Sequence, residues 1–138
     1  MEMEKSFRVR LDRDAVVERL CDDAMLTRLL PGDTEIVERE GDRRTTRTHY
    51  SALGREGVAT FHFDTLLDGN MRFEKVCDGR IWKRLTGSVE VDEDGSGSRI
   101  TIRMEGRTKP LVPEMAIKVP LDEQMRSMTK ALREALDG

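Results

Sequence analysis

The chain is poor in the residues that most often staple small proteins or carry their chemistry. Cysteine occurs twice, at Cys21 and Cys77, far apart and with no neighbouring thiol. That excludes a disulfide framework and a thiolate metal cluster, and the two are expected as buried free thiols. Only six of the 138 residues are aromatic, so a core built here has few bulky side chains to fill it. No apolar run approaches the roughly 18 to 20 residues of a membrane-spanning helix. Met1 to Lys5 has neither the basic end nor the hydrophobic stretch of a signal peptide, so a cytosolic protein without an integral membrane segment is expected. Charge of one sign is missing too. Lys and Arg number 24 against 27 Asp and Glu, mixed along the chain, which argues against nucleic acid as a partner. There is no Gly-x-Ser-x-Gly elbow, His-Glu-x-x-His zinc pattern, P-loop or dinucleotide fingerprint, and no metal or cofactor is expected. Gly95-Ser96-Gly97 is a hairpin loop, because no helix follows it to hold a phosphate.

What is present is patterned. Phe7, Val9 and Leu11 alternate with Ser6, Arg8 and Arg10, the period of a half-buried strand. From Asp12 the period becomes helical. Asp12 or Asp14 can cap a helix carrying Val16, Val17, Leu20 and Cys21, and Asp22 or Asp23 a second carrying Met25, Leu26, Leu29 and Leu30, stopped by Pro31-Gly32. Turn signals then recur at Gly41-Asp42, Gly54 to Gly57, Asp68-Gly69-Asn70, Asp78-Gly79 and Asp94 to Gly97. They divide the middle of the chain into six strands, near 34–40, 43–53, 58–67, 71–77, 80–92 and 98–108. Short connections make these strands an antiparallel meander, to which the first strand adds at an edge.

After Lys109 to Pro113 the helical period returns. Leu121, Met125, Met128, Leu132 and Leu136 form one apolar stripe, with charged residues off it and Asp122 set four residues before Arg126. Pro113 can open the first turn, and Pro120 predicts a kink or break. The order β, α, α, six β, long α describes an α+β domain over 1–138, with a curved seven-stranded antiparallel sheet around a long C-terminal helix and two short helices between strands one and two. With few bulky side chains, such a sheet leaves room for an apolar, ligand-sized cavity.

The order of elements, Leu29-Leu30-Pro31-Gly32, the strand Gly87-Ser88-Val89-Glu90-Val91, the hairpin Asp94 to Thr101 and the amphipathic last helix resemble the START-like (SRPBCC) superfamily. The resemblance covers essentially the whole chain. Within that superfamily it is most similar to the polyketide cyclase/dehydrase and lipid-transport group, with a Leu-Pro-Gly echo of the branch associated with carbon monoxide dehydrogenase. It implies the Bet v 1-like helix-grip fold, with a cavity between sheet and last helix that takes a lipid, polyketide, quinone or other hydrophobic small molecule. The motifs that carry the resemblance are turns, caps and packing positions, none of them catalytic.

Phe61 and Phe63 share a strand face, and burying each gains about 1.5 to 3 kcal/mol, which favours them inward and His62 outward. Phe73 with Met71 forms a similar pair, as do Ile81, Leu85, Val89 and Val91 on the next strand and Ile100, Ile102 and Met104 on the last. The expected ligand-contacting set is Phe61, Phe63, Phe73, Leu85, Met104, Met115, Val119, Met125, Tyr50 and Lys83. Met115 and Val119 are placed near the cavity mouth, and Met128 beside Met125 in the stripe. Each of these residues also has a plain structural reading, as core packing or, for Lys83, as a surface lysine. Trp82 is expected to point away from the cavity, a candidate contact in a homodimer or with another protein. An enzymatic alternative, cyclase- or dehydratase-like, would call on His49, His62 or Tyr50 as acid and base, with Asp64 near His62. A third reading is a protein-interaction or cofactor-assembly module.

Overall fold

The computed structural model describes residues 1–30, 32–52 and 54–137. Pro31, expected to stop the second helix, and Leu53, expected to end a strand, lie outside the described residues. In chain order the elements are β1 (Glu2–Val9), α1 (Arg13–Leu20), α2 (Asp23–Leu29), β2 (Asp33–Glu40), β3 (Arg43–Ala52), β4 (Arg55–Thr65), β5 (Met71–Lys75), β6 (Trp82–Asp94), β7 (Gly97–Thr108) and α3 (Glu114–Asp137). The strands form one antiparallel sheet in the order β1-β7-β6-β5-β4-β3-β2, so the meander is complete and β1 closes its far edge beside β7.

Local chemistry starts the helices where the capping residues stand. The Asp12 carboxylate accepts from the Ala15 N–H at 2.8 Å, and that of Asp22 from the Ala24 N–H at 3.0 Å. Arg44 then ties both helices to the sheet. Its buried guanidinium donates to the carbonyls of Leu20 (3.0 Å) and Cys21 (3.3 Å) and pairs with Asp23 at 3.3 Å. These acceptors include unsatisfied carbonyls at the end of α1, groups that a buried cation suits.

The last helix is continuous through Pro120, so of the kink or break expected there the break does not occur. The carbonyl of Ala116, deprived of its donor by the proline, sits on an exposed part of the helix, so the lost hydrogen bond does not strand a buried group. Leu121, Met125, Met128, Leu132 and Leu136 are all buried, and α3 lies against β1, β7 and α2. Arg126 reaches Asp122 at 3.1 Å.

Two further expectations change. A bulge between Trp82 and Arg84 inserts one residue into β6, so the alternation that would turn Trp82 outward is reversed. Trp82 is 8 % exposed with its ring over Gly106, while Ile81 and Lys83 face solvent. Neither thiol is fully buried: Cys21, at the C-cap of α1, is exposed and Cys77 half-buried.

Candidate functional site

The inner face of the sheet can be read row by row from the cross-strand partners. One row runs Arg44, Phe63, Phe73, Gly87, Met104, Met3 across six strands, and the next Thr65, Met71, Val89, Ile102, Lys5. Phe61, Phe63 and Phe73 form a mutual cluster with ring centroids 5.7 to 6.4 Å apart. With Leu85, Met104, Met125 and Met128 they belong to one buried core. Six of the ten residues expected at a ligand thus lie in that core as packing residues, and the cavity expected between sheet and last helix is not seen among the described residues.

Toward the end of the sheet where the β3–β4 hairpin turns, the inner face becomes polar. The row Ile36, Thr46, Phe61, Lys75 spans β2 to β5, followed by Thr34, Thr48, Ala59 and then Tyr50, Gly57. Thr34 and Thr48 share a hydroxyl hydrogen bond of 2.7 Å. Thr46 is fully buried and its hydroxyl has no hydrogen-bond partner among the described residues, a costly arrangement unless something polar can meet it. Two strands away on the same row, about 10 Å by inter-strand spacing, Lys75 is half-buried and enters no ion pair among the described residues. Tyr50 lays its ring over Gly57, where a Cβ would come within 2.6 Å of it. Because only the end of a mobile side chain fills that space, Tyr50 can swing aside.

The other expected contacts lie elsewhere. Lys83 is exposed beside the bulge. Met115 and Val119 are 87 % and 65 % exposed, set roughly 100–150° round α3 from the buried stripe at about 100° per residue. His62 faces outward, its Nδ1 2.8 Å from the Thr45 hydroxyl, and His49 is exposed on the same outer face. Acid and base groups thus do not converge with Tyr50.

That outer face carries a groove of about 1000 Å³ lined by seven carboxylates and three arginines, among them Glu4, Arg43, Asp64, Glu90 and Arg103. Two of its three arginines are already engaged. Arg43 holds Asp64 through two hydrogen bonds of 2.8 and 3.0 Å, and Arg103 reaches Glu4 at 2.9 Å and Glu90 at 3.1 Å. The hydrogen bond from Arg43 holds the Asp64 carboxyl below its ordinary range. With seven carboxylates to three guanidiniums, the groove disfavours an anionic ligand.

The polar row was not singled out in the sequence, although part of it could have been. Lys75 follows Met71 and Phe73 by steps of two. Thr46 needed the β3–β4 register, in which Thr46 stands opposite Phe61.

No family model and no curated protein matches the chain. Solved structures do. A protein of Thermus thermophilus superposes with a TM-score of 0.78 at 18 % identity, covering 99 % of this chain and 97 % of that one. The Zhui aromatase/cyclase from Streptomyces sp. R1128 gives 0.76 at 17 %, over 99 % and 90 %. A STAR-related lipid transfer protein from Xanthomonas axonopodis gives 0.71 at 21 %, over 99 % and 86 %. The chain therefore has the helix-grip fold shared by START-like, aromatase/cyclase and lipid-transfer proteins.

Proposed function

We propose that this protein binds and carries an apolar small molecule with a polar or anionic end, held at the inner face of β3–β5. The observation that carries the reading is the row Thr46, Phe61, Lys75. A buried hydroxyl without a hydrogen-bond partner and a half-buried lysine outside any ion pair, both among the described residues, flank an aromatic cluster. A carboxylate or phosphate on the ligand would pair with Lys75, and a hydroxyl or carbonyl farther along it would meet Thr46. Phenylalanine and methionine fill the interior, and the flexible thioethers can repack around different shapes. The fold neighbours include a lipid transfer protein, which supports a carrier.

The cyclase reading draws support from the aromatase/cyclase neighbour. The placement of both histidines on the outer face counts against it. Native mass spectrometry of gently purified protein, followed by organic extraction, tests the carrier reading. The expected result is a retained apolar acid or phosphate ester, and oleate added to stripped protein should bind with weaker affinity to Lys75→Glu. Repeated preparations and oleate titrations with no bound species would contradict it.

A further inference from the structure

Five of the ten exposed large apolar side chains among the described residues gather in one region. Leu111 is 96 % exposed, and with Met115, Val119, Val76 and Ile81 it stands at one end of the molecule. The backbone holds these segments together there: the Lys109 N–H donates to the Ile81 carbonyl at 2.9 Å, and Trp82 pairs with Thr108. The end thus comprises the β5–β6 loop, the β7–α3 connection and the first two turns of α3.

Its charge is opposite to that of the chain. Over residues 75–84 and 105–118, Lys and Arg outnumber Asp and Glu seven to three, whereas the whole protein carries a net charge of −3. Four of the seven are lysines, whose stems can lie along apolar surface while the ammonium heads reach outward. Arg84 and Arg107 stand directly opposite each other across β6 and β7, with Glu105 3.3 Å from Arg84. Such a like-charge pair is unfavourable in the isolated molecule and is relieved against a negative surface.

We infer that this end docks on an anionic phospholipid bilayer, with Leu111, Met115 and Val119 entering the acyl boundary and the surrounding lysines and arginines meeting the headgroups. A protein partner fits the face less well. Protein interfaces centre on Trp, Tyr and Arg anchors and are depleted in lysine, whereas the aromatic residue here, Trp82, is buried beneath the face. Docking goes beyond the carrier reading and can be tested without any internal ligand.

The full chain is floated with vesicles of phosphatidylcholine alone and of phosphatidylcholine mixed equally with phosphatidylglycerol. Binding is expected to the mixed vesicles, falling as salt rises. Leu111→Glu with Met115→Glu, and separately Lys83→Glu with Lys109→Glu, should each weaken it about tenfold or more. Leu67→Glu, fully exposed in the β4–β5 turn at the other end, should bind as the wild type does. No flotation of the wild type, equal binding to neutral vesicles, or equal loss in Leu67→Glu overturns the proposal. So does a dimer in light scattering that Met115→Glu abolishes while vesicle binding persists, which would assign the face to a second copy.

Discussion

The inner face of the sheet has two regions that share one backbone parity and differ in what fills it. Over β1, β6 and β7 the inward residues include Phe7, Val89, Val91, Ile100 and Ile102, all buried, with the one inward lysine, Lys5, paired with Asp122 of α3 at 3.6 Å. Over β2 and β3 the same parity brings in Thr34, Thr46, Thr48 and Tyr50. The first region is dry and locks the helix to the sheet. The second carries polar groups that the protein does not fully satisfy, so it is the part of the interior with something left to bind. Retaining an unpartnered hydroxyl costs stability that a valine in the same space would not.

The division can be broken first by truncation. Met128→Ala should cost about 2–4 kcal/mol in urea unfolding, while Met115→Ala on the same helix stays within about 0.5 kcal/mol. Equal costs would mean that α3 is not divided into an anchoring and an exposed half. Glycines give a finer contrast. An added Cβ at Gly87 would meet the Phe73 ring at 2.2 Å and the Arg103 carbonyl at 2.5 Å, so Gly87→Ala should cost about 1–3 kcal/mol. Gly57→Ala meets only the Tyr50 ring, and should leave the unfolding midpoint nearly unchanged while altering the rate of oleate uptake.

A smaller effect of opposite sign is expected at the row itself. Thr46→Val should be neutral or stabilising by up to about 1 kcal/mol and should weaken oleate binding. A clear loss of stability would show that the hydroxyl has a partner after all. The smallest effect belongs to the outer face, where Asp64 is partly exposed and its ion pair correspondingly weak. Its carboxyl is depressed in the folded protein by the Arg43 hydrogen bond. The pair therefore contributes fully above the unfolded carboxylate range near ~3.9, and the contribution is lost as pH falls through the lower folded value. Asp64→Asn should flatten stability against pH below about 4 and leave it little changed at neutral pH.

The dry region was legible from the amino-acid sequence because it obeys period and polarity together. Leu121 to Leu136 keep helical spacing, and Phe7 and Val9 alternate with charge, so each level of reading agrees with the next. Met115 and Val119 also had a readable phase, since they fall six and two residues before Leu121 and so lie off its face. Their apolar character suggested a wall where the geometry makes a surface. The polar row was hidden for another reason. Thr46 and Phe61 are neighbours only through a cross-strand register, and Trp82 turns inward only because one residue is inserted at the bulge; neither relation leaves a local pattern.

Entry of a ligand at the polar end of the inner face is open to direct observation by methyl NMR of threonine and methionine residues during an oleate titration. Saturable shifts are expected at Thr46, Thr48 and Met125, with the outward-facing Thr86 unmoved. Shifts confined to Thr86 and other residues of the charged groove, or no saturable shift at Thr46, would contradict ligand entry there.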